Sequence, residues 1–170
     1  GQVTPLEMVR GFAVFANGGF RIEPYFIARI ADRDDRTVST VEPAIACADC
    51  PGTTAAPQAI TPANAYVMTD IMTDVIQRGT AQRAKTLGRS DLAGKTGTTN
   101  DRRDAWFVGF NADVAAAAWI GFDQERSLGD NEEGGRTALP IWVSYMEEAL
   151  RDRPEHRLPE PAGVVRMWVD

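Results

Sequence analysis

The chain has 170 residues, 44% of them hydrophobic and 25% charged, with 15 Gly and 10 Pro. That is the composition of a folded domain with a real core, and it excludes a disordered tail or a disulfide-dense miniprotein. Eighteen Lys and Arg against 24 Asp and Glu leave a net charge of −6 with no basic run longer than Arg102-Arg103, which argues against nucleic acid as a partner, and no apolar run approaches the roughly 18 to 20 residues that cross a bilayer. The first residues, Gly1-Gln2-Val3, include neither an initiator Met nor a signal peptide, so a targeting or anchoring segment is expected outside this sequence.

Thr4-Pro5-Leu6-Glu7 is a T-x-x-E capping box with Pro at the first helical position, and it predicts a helix from about 5 to 17, stopped by Asn17-Gly18-Gly19. With only Glu7 and Arg10 charged, this helix is expected to be buried. Tyr25 to Ile30 reads as a strand, Asp32 to Asp35 as a turn and Arg36 to Val41 as a return strand, together a peripheral hairpin. Residues 42–60, rich in Pro, Ala and Thr, read as a loop carrying Cys47-Ala48-Asp49-Cys50. Thr61-Pro62 caps a second helix, with Val67, Met68, Ile71, Met72 and Val75 expected on one buried face and Gly79 at its end.

Three extended segments follow, Leu92 to Thr99, Asp104 to Phe110 and Asp113 to Phe122, the last two joined by a tight turn at Asn111-Ala112. They predict an antiparallel meander. The last two are apolar on both faces, so helices must cover both sides of the sheet, an α/β (α+β) arrangement. A last helix is predicted from about 138 to 151, capped by Thr137 and presenting Leu139, Trp142, Val143, Met146 and Leu150. The domain is thus expected over 1–152, with a Pro-rich tail over 153–170.

Gly94-Lys95-Thr96-Gly97-Thr98-Thr99 is poor material for a strand interior. Alternation puts Lys95, Gly97 and Thr99 on one face and Thr96 and Thr98 on the other, so both sets can serve one ligand only along an open edge. An extended peptide added to that edge would receive backbone hydrogen bonds, hydroxyls for a carboxylate and the Lys95 charge. Gly97 clears space where a nucleophile comes close, and the Thr98 N–H can face a developing oxyanion. The competing readings are a bent edge strand with an exposed Lys, and a phosphate loop. Gly88 to Lys95 misses the phosphate-loop spacing by one residue, and Gly97-Thr98-Thr99-Asn100-Asp101 does not start the helix that loop needs.

Ala93 to Asp101, running on to Asp104-Ala105-Trp106-Phe107-Val108-Gly109-Phe110, resembles the third active-site motif of class A, bifunctional penicillin-binding proteins. Thr4 to Gly19, Gly79 to Ala84, and Gly134-Gly135-Arg136-Thr137-Ala138 through Trp142 are similar to the same family in order and spacing. The resemblance implies the penicillin-binding protein/serine β-lactamase-like fold and a peptidoglycan DD-transpeptidase. In that family a serine of an S-x-x-K motif attacks the penultimate D-Ala carbonyl of a stem peptide, and β-lactams mimic the D-Ala-D-Ala end. It implies that Lys95 supplies positive potential and holds the hydroxyl of the second motif. Thr96 and Thr98 then bind the substrate carboxylate beside Gly97, and the Thr98 N–H serves as an oxyanion donor. The catalytic candidates are therefore Lys95 and Thr98, and the substrate-binding ones Thr96, Gly97 and Thr98.

The four serines, Ser39, Ser90, Ser127 and Ser144, stand in neither S-x-x-K nor S-x-N contexts. The chain is therefore expected to be the C-terminal part of a transpeptidase domain, inactive alone and partnered by the upstream half of its own domain. Stem peptides and β-lactams are the expected ligands, the periplasmic face of the inner membrane the expected location, and an anchor upstream the only expected membrane contact. A non-catalytic binding or scaffold module of the same fold is the alternative. Asp101 and Asp104 read as turn formers. For Cys47 and Cys50 a structural disulfide is favoured over a metal site, which lacks ligands, and over a redox pair, which Pro51-Gly52 deprives of a helix N-terminus. His156 reads as solvated tail, and no metal or organic cofactor is expected.

Overall fold

The capping box starts the first helix as its residues dictate. In the computed structural model, which describes residues 3–50 and 54–167, Glu7 N donates to Thr4 Oγ1 at 3.2 Å, Thr4 N donates back to the Glu7 carboxylate at 2.8 Å, and α1 runs Pro5–Ala16. Donors that a helix start leaves orphaned are thereby satisfied. Expected burial is corrected: only Ala13 and Ala16 of α1 are buried, and Leu6 is exposed. The C-terminal half packs on the sheet, Phe12 edge-on to Phe110 with ring centroids 6.3 Å apart, while Val3, Pro5 and Met8 border an open groove.

The hairpin, β1 (Arg29–Ala31) and β2 (Thr37–Thr40), is exposed throughout and shorter than expected. The Asp32 carboxylate, accepting from Asp34 N and Arg36 N, fixes the turn, and register extends only a few residues from it. In the following loop Cys47 and Cys50 are joined by a disulfide with Cα atoms 5.8 Å apart. Pro51 and Gly52 lie outside the described residues. Helix α2 (Pro62–Gln77) is capped by Thr61 Oγ1, which accepts from Asn64 N. Its expected stripe is split: Met72 is buried, but Val67, Met68 and Ile71 are exposed, because the helix sets the line Ala65, Thr69, Met72 and Ile76 against the protein instead. Those steps of three and four residues are as helical as the ones expected.

After a 3-10 segment (Gln82–Leu87), β3 (Ala93–Thr98), β4 (Asp104–Phe110) and β5 (Ala115–Gly121) form the expected antiparallel meander in the order β3-β4-β5. Asn111 makes the β4–β5 turn, its side-chain oxygen accepting from Asp113 N and Val114 N. Helices cover both faces, giving the expected mixed α/β architecture. On one face Phe107 and Trp142 of α3 (Leu139–Ala149) meet edge to face with centroids 4.9 Å apart. A Cβ at Gly94 would lie 2.7 Å from the Phe107 ring and one at Gly109 2.5 Å from Trp142, so these two glycines make the notch the rings fill. Ile76, Leu92, Leu139 and Met146 complete that core. The other face is covered by Phe12, Phe15, Ala16 and Met72 around Ala93 and Phe110, and Val108 on the same face is buried as well.

Two expectations near the C-terminus are corrected. Thr137 does not cap α3: its hydroxyl donates to the Glu132 carboxylate, and a π-helical turn (Gly134–Ala138) precedes the helix, which has Pro140 in its first turn. His156 is not free in solvent either. The Arg89 guanidinium donates to Arg153 O and Pro154 O, Glu155 receives Ser90 N, His156 N donates to Asp91 Oδ2 at 3.0 Å, and the His156 ring lies 2.8 Å from Asp113. These contacts dock the segment on the body. The Asp91 side chain at the centre is fully buried and paired with Arg89. Burial pushes its carboxyl up, but the bonds from Arg89, Asn111 and the His156 N–H outweigh burial and hold it below the usual carboxylate range.

Truncating Trp142 to Ala should destabilise the domain by about 3–5 kcal/mol, read from denaturant unfolding. A carboxyl whose folded value is depressed contributes stability that is complete above its unfolded value and disappears as pH falls through the folded one. Urea midpoints should therefore decline with acid below about pH 4, and Asp91→Asn should flatten that decline while lowering stability at neutral pH.

Candidate functional site

The segment that packing does not explain forms the outer strand of the three-stranded sheet. Because Thr99 N donates to Asp104 O at 3.1 Å, the ladder alternation turns the peptide groups of Lys95 and Gly97 toward β4. Those of Thr96 and Thr98 face outward along an edge that, among the described residues, pairs with no strand. The exposed Lys95 ammonium donates to Thr96 O at 2.9 Å, so the charge rests on that edge. Gly97 lies opposite Trp106, and its φ is outside the left-handed region; an added Cβ would come 3.2 Å from the Trp106 Cβ. Lack of a side chain, rather than backbone freedom, is what Gly97 contributes.

Beside Lys95 and Gly97 this face opens into a groove of about 730 Å³ lined by Met8, Phe12, Lys95, Trp106, Val108 and Trp119 among others. In its floor the Trp106 and Trp119 rings lie tilted by 34° with centroids 5.7 Å apart, and Trp119 Nε1 donates to Asp104 Oδ1 at 2.9 Å. Asp104 N donates in turn to Thr99 Oγ1 at 2.8 Å. Asp104 thus does more than the turn forming expected of it, since it ties the end of β3 to the tryptophan floor. Asp101, with φ of 59°, sits in the connection between β3 and β4. Among the described residues no serine or cysteine lines the groove, and Ser90 lies bonded to Glu155.

On the opposite face the two hydroxyls have partners. Thr96 Oγ1 and Thr80 Oγ1 are 2.7 Å apart, and Gly134 N donates to Thr98 Oγ1 at 3.1 Å. Gly134 lies directly on the β3–β4 ladder: a Cβ there would fall 2.2 Å from Trp106 O and 2.5 Å from Gly97 O. The structure therefore brings Lys95, Thr96, Gly97 and Thr98 to one edge and adds Thr80 and Gly134, which sequence reasoning noted only within larger stretches. The one available signal was glycine beside each of them, in Gly79-Thr80 and Gly134-Gly135. No helix among the described residues is long and apolar enough to cross a membrane, and no group of acidic, His or Cys residues there could hold a metal ion.

Comparison with known proteins agrees with this geometry. Residues 1–141 match the model of the penicillin binding protein transpeptidase domain. The chain is 50% identical to penicillin-binding protein 1A of Neisseria lactamica over 97% of its own length and 20% of that protein's. It is 41% identical to penicillin-binding protein 1A of Pseudomonas aeruginosa, over 99% of its own length and 25% of that relative's. The crystal structure of penicillin-binding protein 1A from Haemophilus influenzae superposes with a TM-score of 0.93 at 37% identity, covering 99% of this chain and 29% of that one. The chain thus spans only about a fifth to a quarter of the curated relatives it matches. With the edge strand, the Lys-Thr-Gly-Thr run and these likenesses in agreement, the chain belongs to the penicillin-binding protein transpeptidase domain family, as the C-terminal part of a class A member.

Proposed function

We propose that this chain supplies one wall of the active site of a peptidoglycan DD-transpeptidase, the nucleophile and its lysine coming from an S-x-x-K motif, and the hydroxyl that Lys95 holds from an S-x-N motif, in a preceding part of the protein. One observation carries the reading: a strand edge that pairs with no strand among the described residues bears a lysine and two threonine hydroxyls, beside a groove that no described serine or cysteine lines. A stem peptide ending in D-Ala-D-Ala adds to the outward peptide groups of β3 as an extra strand. Its carboxylate meets Thr96 and Thr98, with the Lys95 charge alongside. The serine oxygen attacks the penultimate D-Ala carbonyl while the Thr98 N–H receives the developing oxyanion. The carbon–nitrogen bond then breaks and terminal D-Ala leaves with the proton. An amine from a neighbouring stem displaces the serine, which regains its proton, and a cross-link results. A β-lactam follows the first half of this course and stays on the serine.

The groove over Trp106 and Trp119 is where the upstream half would sit, and Gly97 is bare so that its serine can approach the edge. On this reading the protein works at the periplasmic face of the inner membrane, held by an anchor outside this chain, and uses neither metal nor organic cofactor.

The 170-residue chain alone should form no covalent adduct with a fluorescent penicillin by intact-mass spectrometry, and co-expression with the upstream half should restore labelling. Labelling of the lone chain would refute the one-wall reading. In the assembled enzyme Lys95→Ala should slow acylation about ten- to more than a hundredfold, the worth of one charge-assisted contact at ~1.5 to 3 kcal/mol, with an unchanged circular dichroism spectrum. Gly97→Val, which pushes a branched side chain into the groove, should abolish acylation. A wild-type rate in that variant would show that Gly94 to Thr99 is not the substrate edge.

A further inference from the structure

The carboxylate reading of Thr96 and Thr98 leaves a chemical question. A hydroxyl is donor and acceptor at once and rotates freely, whereas a carboxylate only accepts, so each hydroxyl is useful only with its hydrogen turned outward. At Thr98 a backbone group decides: the Gly134 N–H can only donate, so Thr98 Oγ1 accepts it and keeps its own hydrogen for another partner. At Thr96 the neighbour is Thr80 Oγ1 at 2.7 Å. We propose that Thr80 is a positioning residue that does for Thr96 what the Gly134 N–H does for Thr98. Its hydroxyl donates to Thr96 Oγ1, so that the Thr96 hydrogen is presented to the substrate carboxylate.

The surroundings hold Thr80 to this task. It stands in the turn that ends α2, where Ala81 N donates to Val75 O and the Ala81 side chain is wholly buried. A Cβ at Gly135 would lie 2.7 Å from Thr80 O, so the π-helical turn closes on the Thr80 backbone from the other side. Its hydroxyl nevertheless remains at the surface, directed at Thr96. Two separate pieces of chain, one after α2 and one before α3, thus each bring one donor to one threonine of β3. The result is a matched pair of outward hydrogens, which suits the two oxygens of a carboxylate.

The inference rests on the carboxylate reading, and its test separates the two. In the assembled enzyme, acylation rates are measured with a penicillin and with its carboxyl methyl ester, and the acid-to-ester preference is compared across variants. Thr80→Val should reduce that preference about tenfold or more, the scale of a hydrogen bond to a charged group. Thr80→Ser, which keeps the hydroxyl, should restore it, and Thr80→Val added to Thr96→Val should cause no further loss. A merely structural role would lower both rates together and leave the preference intact. Should Thr96→Val lose the preference while Thr80→Val and Thr80→Ala keep it, the positioning role fails and the carboxylate reading stands. Should Thr96→Val and Thr98→Val both keep it, the carboxylate reading fails and this inference with it. Failure of Thr80→Ser to restore the preference at an unchanged melting temperature also overturns it.

Discussion

The edge-to-face contact of Phe107 with Trp142, seated in the notch left by Gly94 and Gly109, is the interaction on which the rest of the structure depends. It joins α3 to the middle strand and, through Gly94, to the outer strand one residue before Lys95. Large rings over bare backbone allow no slip, because a one-residue shift of β3 would put a side chain where the Phe107 ring sits and would exchange the faces of Lys95 and Thr96. The position of the charge at the site thus follows from packing on the opposite side of the sheet.

From that fixed register follows a division of labour across one strand. Lys95 and Gly97 look into the groove, Thr96 and Thr98 look toward Thr80 and Gly134, and only the outer edge is within reach of both sets. A strand edge is therefore the functional surface, and its backbone can recognise a peptide without regard to side chains. The two tryptophans, tied to the end of β3 through Asp104, give the neighbouring groove an aromatic floor beside the Lys95 charge.

The segment after α3 shows how charges far from the edge hold the other end of the sheet. Arg89, Asp91 and Asn111 form a buried knot whose remaining acceptor capacity is taken by the backbone of His156. A carboxylate buried there is tolerated only because each oxygen is matched, so the docked segment and the knot require each other.

By itself the sequence determined what depends on near neighbours in the chain. The Thr4 capping box, the Thr61 cap and the Asn111 turn lie within a few residues of the groups they satisfy, so α1, α2 and the β4–β5 connection were legible, and the alternation of β3 already separated Lys95 from Thr96 and Thr98. The Lys-Thr-Gly-Thr run stood out because its composition suits no core, which located the site. Contacts between distant residues were decided by the tertiary structure alone. Helix α2 had two apolar lines to choose from, and only the sheet against it selected Ala65, Met72 and Ile76 over Val67, Met68 and Ile71. Thr137 is bonded to Glu132 instead of capping a helix, and His156, polar in a Pro-rich stretch, meets Asp91 of the knot and the nearby Asp113, which lie 65 and 43 residues away in the chain. Thr80 and Thr96 are 16 residues apart and meet because α2 and β3 end side by side. No local pattern encodes such a meeting, since a hydroxyl in a turn looks the same whether it faces water or another hydroxyl.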